Sequence, residues 1–195
     1  NRARNAIRAA LLAWHDEIRT GGIDAIVVNA SGCGTMVKDY GHMMKDDPEL
    51  APVAKMVSDA CVDVSELIDK LDLESILLPA PLEGRPKLAY HSACSLQHGQ
   101  KIHELPLRLL RQAGFDVVKP LNGHLCCGSA GVYNLLQPKM ADELKARKLE
   151  SLDKTGAQFV AAGNIGCIMQ LDRDDLPVWH TVQFIDWASG GPRPH

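Results

Sequence analysis

Several things are scarce or absent in this chain of 195 residues. It has no continuous apolar run of about 18 residues, which excludes a sequence-readable transmembrane helix. It has no excess of either charge. At a net charge of −3, neither nucleic acid nor an anionic membrane is expected as its main partner. The N-terminal stretch NRARNAIRAALLAWHDEIR is charged and amphipathic. It lacks the separate apolar core and small-residue cleavage site of a signal peptide, so a cytoplasmic location is expected. Six cysteines are too few for a disulfide scaffold. In a reducing compartment, clustered cysteines point instead to metal binding or redox chemistry.

What is there reads as an ordinary globular protein, 46% hydrophobic and 23% charged, long enough to bury a proper core. Short apolar, β-branched runs predict strands over residues 25–28, 87–90, 115–118, 158–161 and 177–179. Helix-period stretches lie between them: Ala6 to Arg19, Leu50 to Leu71, Ile102 to Gln112, Lys139 to Leu152 and Thr181 to Ala188. This alternation predicts an α/β fold, with helices flanking a mostly parallel sheet. The Pro- and Gly-rich residues 79–86 are the expected linker between residues 1–78 and 87–195.

An internal repeat organises the chain further. Gly22 to Cys33 and Gly156 to Cys167 both place a Gly eleven residues before a Cys, an apolar strand between them, and a Gly directly before the Cys. The offset is 134 residues. Applied to Cys126, it falls upstream of Asn1, so the first half has no double cysteine of its own. The expectation is that the chain is the C-terminal piece of something longer.

The cysteines separate by context. Val57, Cys61, Val64 and Ile68 follow one helix face, and Cys61 reads as core filler. Cys126 and Cys127 are adjacent, so a loop is needed to aim both thiols at one point. Gly123, Gly128 and Gly131 supply one, and glycine also lets backbone N–H groups approach an anion. Cys94 and Cys167 each follow a predicted strand and lead into a helical stretch, where a helix N-terminus favours a thiolate. In a parallel α/β sheet the loops at the carboxyl ends of the strands form the ligand crevice. Cys94, Cys126, Cys127 and Cys167 all fall in such loops, and four thiolates suit a 4Fe–4S cluster or a structural zinc. The gaps of 31 and 39 residues are unlike the tight C-x2–4-C pairs of zinc sites. Cys33, the repeat partner of Cys167, is a further candidate ligand whose partners would lie upstream; its alternative role is a small residue at a tight turn. His91, His98 and His124 lie near the cysteines, while His15, His42, His103, His180 and His195 have no constellation behind them.

A Cys, then about thirty residues, then Cys-Cys-Gly, then just under forty, then Cys resembles the cysteine-rich CCG domain of heterodisulfide reductase (its B-type chain) and related proteins, typically present twice per chain. The stretches NASGCGTMVKDYGHMMKDDP, YHSACSLQHGQKI, HLCCGSAGVYNLLQPKMADEL, AAGNIGCIMQL and PVWHTVQFIDWASGGPRP resemble the iron–sulfur subunits of glycolate oxidase (glycolate dehydrogenase). The resemblance implies a truncated first CCG repeat in residues 1–78 and a second in 87–195. It implies an electron-carrying subunit of a flavin-dependent glycolate (2-hydroxy acid) dehydrogenase, passing electrons from a flavin subunit towards a membrane quinone. Such a subunit would be cytoplasmic or peripheral at the inner face of the membrane. No flavin site is identifiable on this chain, which alone is expected to be inactive. One departure matters: Gln170 and Met36 stand where the full pattern has a last cysteine, C-x-x-C. That removes the fifth thiol of the heterodisulfide reductase type and argues against its disulfide chemistry. A heterodisulfide-reductase-like subunit and a zinc-stabilised docking module are the alternatives.

Overall fold

The computed structural model describes residues 2–72, 84 and 86–194. The expected linker, residues 79–86, lies outside them apart from Gly84 and Pro86. The chain forms two compact units, Asn1–Val64 and Ser65–His195.

The first unit opens with helix α1 (Arg2–Gly21), which ends at Gly22, whose φ of +70° is the left-handed conformation glycine supplies at a helix end. Strand β1 (Ile26–Val28) leads into α2 (Ser31–Lys38) and α3 (Tyr40–Met43). Helix α4 (Ala51–Ala60) is followed at once by β2 (Cys61–Asp63), parallel to β1, and by α5 (Val64–Lys70). The expectation of one helix from Leu50 to Leu71 is therefore corrected. Its apolar spacing continues through Cys61, but Cys61, Val62 and Asp63 are drawn into a ladder opposite Ile26, Val27 and Val28. The core closes over Ile7, Leu11, Val37, Leu50, Ala54 and Val57. Cys61 is part of it, buried on a strand rather than on a helix face.

The second unit carries four parallel strands: β3 (Lys87–His91), β4 (Asp116–Val118), β5 (Phe159–Ala162) and β6 (Val178–His180). Their spatial order is β4-β3-β5-β6. Between β3 and β4 lie a π-helical turn (Ser95–Gly99) and α6 (Leu105–Gln112); α6 starts later than expected because Pro106 sits in its first turn, the place a helix tolerates proline. Between β4 and β5 come α7 (Tyr133–Leu136) and α8 (Pro138–Asp153); α9 (Ile165–Leu171) joins β5 to β6, and α10 (Thr181–Ala188) follows. β3 and β5 are buried along almost their whole length, as strands covered on both faces must be. All three phenylalanines and two of the three tryptophans gather in one cluster. Phe159 stacks on Trp179 with centroids 5.0 Å apart, and Phe184 and Trp187 pack against both Phe115 and Phe159. Phe159 is the first residue of β5, so this cluster marks the amino end of the sheet.

The strand order fixes where a ligand can sit. From β3 the chain crosses to one side, to β4, and then returns past β3 to β5 and β6. The direction reverses between β3 and β5, and the crevice beyond their carboxyl ends is the usual ligand site of an open parallel sheet. No helix among the described residues is long and apolar enough to cross a membrane.

Candidate metal centre

The carboxyl ends of β3 and β5 meet where His91 pairs with Ala162. His91 is 1% exposed, and neither of its ring nitrogens has a hydrogen-bond partner among the described residues. Cys94 comes three residues later, capping the π-helical turn, and is exposed. Cys126 and Cys127 lie in the loop after β4. Cys167 is the third residue of α9, just beyond β5, and is buried.

Three of these groups converge. A ring nitrogen of His91 and the sulfurs of Cys127 and Cys167 all lie within 4.8 Å of one another, and all three residues are buried. The two sulfurs are 3.3 Å apart, a thiol–thiolate contact far longer than a disulfide bond, and none of the six cysteines is in a disulfide. Cys126 is half-buried and Cys94 exposed, and neither belongs to this group of three. Cys33 belongs to the other unit, as the third residue of α2, and is exposed. Of the remaining histidines near the cysteines, His124 lines a cavity of about 190 Å³ with Tyr90, Ser92, His103 and Lys119.

Backbone N–H groups cradle the sulfurs. The Gly128 N–H donates to Cys126 Sγ at 3.3 Å, and the Ser129 N–H donates to Cys127 Sγ at 3.5 Å. Asn164 Nδ2 donates to Cys167 Sγ at 3.6 Å. The consequence is one stabilised thiolate. The contact with Cys167 pulls the pKa of Cys127 down to about 4, helped by His91 and the Ser129 N–H and opposed by burial. Cys167 moves the other way, pushed up first by its bond to Cys127 and then by burial. Of the two sulfurs in contact, the loop cysteine Cys127 is the one favoured as thiolate, while Cys167 at the start of a helix seven residues long is not. Burial pushes Cys126 up; the Gly128 N–H opposes it, and the charges of Cys127 and Cys94 add to it. Burial also pulls His91 down, against its contact with Cys127. A neutral imidazole is the form of histidine that binds metal. Unpartnered nitrogen beside a preformed thiolate is a donor set suited to a soft or borderline metal centre.

Comparison with known proteins agrees with this geometry. Residues 88–172 match the family model CCG, the cysteine-rich domain. The chain is 37% identical to the glycolate oxidase iron-sulfur subunit of Escherichia coli over 188 residues, 96% of this chain and 44% of the relative. It is 30% identical to lactate utilization protein A of Anoxybacillus flavithermus over 168 residues, 85% of this chain and 69% of the relative. The chain belongs to the cysteine-rich CCG family. Its relatives include the probable glycolate oxidase iron-sulfur subunit of Bacillus subtilis, 30% identical over 76% of this chain. The chain spans 44% and 33% of the length of the two glycolate oxidase subunits it matches.

The CCG loop needs its glycine. Gly128 has a φ of +92°, and a Cβ there would lie 2.4 Å from the Ala141 carbonyl oxygen of α8. Its backbone can therefore approach α8 while its N–H turns to Cys126. Two residues of the site carry little or no sequence signal. His91 is one histidine among several, and only its place at the end of a buried strand separates it from the others. Lys148 is the other; it follows Ala141 and precedes Leu152 on the buried face of α8. A lysine at an otherwise apolar helix position is the signal that could have found it.

Proposed function

We propose that this chain is an iron–sulfur electron-transfer subunit of a flavin-dependent 2-hydroxy-acid dehydrogenase, with glycolate as the substrate of the whole enzyme. The observation that carries the proposal is the buried group of Cys127, Cys167 and His91 at the sheet's switch point, with Cys126 next to Cys127 in the chain and Cys94 three residues beyond His91. In this reading Cys94, Cys126, Cys127 and Cys167 hold a 4Fe–4S cluster, which when bound accepts and passes on single electrons. The chain's own residues have distinct tasks. The Gly128 and Ser129 N–H groups and Asn164 hold thiolate sulfur in place, and His91 stays neutral beside it. Electrons arrive from a flavin-containing subunit and leave towards a quinone or other membrane acceptor, on the cytoplasmic side. The chain alone does not oxidise glycolate. Exposed Val132, Leu135 and Leu136 at and on α7 and Ile165 and Met169 on the Cys167 helix form an apolar rim suited to docking the flavin subunit. The two Gly-to-Cys segments act as copies of one unit, divided at residues 79–86, and Cys33 takes its ligand partners from an upstream Cys-Cys-Gly.

One observation favours a second reading. His91, Cys127 and Cys167, with Cys126 next to them, are also a Cys3His set of the kind that binds structural zinc. Metal analysis of anaerobically prepared protein separates the two. Iron and sulfide in stoichiometric amounts, both lost in Cys127→Ser, support the electron-transfer reading. Stoichiometric zinc without iron in anoxic samples overturns it.

A further inference from the structure

Lys148 is among the largest fully buried side chains of the described residues, with 0% exposure. Burying an ammonium costs several kcal/mol unless something nearby compensates. No carboxylate pairs with it among the described residues. Its one hydrogen bond among them runs from Nζ to the carbonyl oxygen of Gly123, at 3.0 Å. Burial pulls its pKa down, and the groups that act against that pull are the sulfurs, Cys127 first and then Cys126 and Cys167. Gly123 lies in the turn that precedes Cys126 and Cys127, and α8 touches this loop at two other points. The Ser151 hydroxyl donates to the Leu121 carbonyl, and the Ala141 carbonyl packs against Gly128. The lysine is thus tied to the cysteine-bearing loop by the Gly123 carbonyl, and the charges that favour its ammonium are those of the cysteines.

We propose that Lys148 is the built-in countercharge of the cysteine cluster, a positioning residue that holds one fixed positive charge beside Cys126, Cys127 and Cys167. The inference rests on the metal-centre reading above and adds to it a residue that binds no metal. A fixed positive charge next to an iron–sulfur centre stabilises its reduced, more negative state and raises its potential. Without that charge, the same ligands hold a centre that is harder to reduce.

The test uses the full chain reconstituted with iron and sulfide under anaerobic conditions, in wild type, Lys148→Gln, Lys148→Met and Lys148→Arg. Gln keeps an N–H donor without the charge, Met keeps neither, and Arg keeps the charge. Iron and sulfide content is measured first, then the midpoint potential by spectroscopic redox titration. The expected result is wild-type iron and sulfide in all three variants. The ratio of reduced to oxidised centre at a fixed potential should fall about tenfold in both Gln and Met, equivalent to about 59 mV for a one-electron couple. Arg should stay within about twofold of wild type on the same scale. A potential unchanged in Gln, or shifted equally in all three, overturns the proposal, and so does loss of fold by circular dichroism in both neutral variants. If wild type takes up zinc and no iron, the electron-transfer reading fails and the countercharge is read from zinc competition with a chelator. Binding about tenfold weaker in Gln and Met but unchanged in Arg supports it on the same electrostatic scale, and equal affinity in all four proteins overturns it.

Discussion

Cys33 and Cys167 occupy the same local frame. Each is the third residue of a helix that follows a short parallel strand, and each strand follows a left-handed glycine, Gly22 at φ +70° and Gly156 at φ +63°. Their surroundings differ completely. Cys167 is 2% exposed, in contact with Cys127, and bonded by Asn164. Cys33 is exposed. The strand–helix unit therefore places a cysteine at the mouth of the sheet and does no more. The second loop adds Cys127 and its N–H donor at that point, and α8 sets the buried Lys148 against the same loop.

The strongest way to break the comparison is to remove the second loop's contribution. Cys127→Ser should lower the metal content of the full chain by at least about tenfold, because it removes a ligand outright and metal sites lose about 10–100-fold even for outer partners. Elemental analysis checks this, and a variant that retains full metal would sink the view that the loop makes the site. Gly128→Ala comes next. Its Cβ would meet the backbone of Ala141 at 2.4 Å from a φ of +92°, and neither the carbonyl nor the loop can yield cheaply. A loss of about 2–4 kcal/mol in urea unfolding is expected, from strain plus overpacking.

A pH series sharpens the contrast. The pKa of Cys127 is depressed, from the ordinary thiol value of 9.0 to about 4, so its stabilisation is complete above 9.0 and is lost as pH falls towards about 4. Cys167 is raised from 9.0, so its contribution is complete below that value and is lost as pH climbs past it. In metal-free protein the pair stabilises most near pH 9.0. The stability gap between wild type and Cys127→Ser, measured by urea unfolding, should therefore widen from about pH 5 to about pH 8. A flat gap would show that the two sulfurs do not share a proton. Smaller effects test the shared frame. Gly22→Ala and Gly156→Ala each place a side chain at positive φ in open space, and both should cost about 1 kcal/mol in thermal or urea unfolding. Unequal costs would argue that the two segments are not copies. Smallest of all, Cys33→Ser should change stability by less than about 0.5 kcal/mol and leave the metal content of this chain unchanged.

The sheet is largely legible in the sequence because its strands are short, apolar and β-branched. Runs read at residues 87–90 and 158–161 become β3 and β5, displaced by a residue at most at either end. β2 escapes because Val57, Cys61, Val64 and Ile68 keep a helical rhythm straight through it, and only the pairing with β1 outside that window decides otherwise. The site is legible in its cysteines, whose adjacency and glycines require a loop. Its electrostatics are not. Which sulfur becomes the thiolate depends on N–H groups and a neighbouring proton, and Lys148 is buried by the approach of α8 to the loop; neither is a local property of the chain.

The aromatic cluster at the amino end of the second sheet has a practical consequence. Trp179 and Trp187 lie within it, whereas Trp14 lies near Tyr40 in the first unit, with ring centroids 6.4 Å apart. Tryptophan emission is thus divided between the units. Trp14→Phe leaves a signal that belongs to the second unit alone, and its unfolding can be followed optically without dissecting the chain. From Phe159 to the far end of β5 the rise is about 10 Å, so a visible-absorbing centre bound at Cys167 would lie close enough to dim that same light.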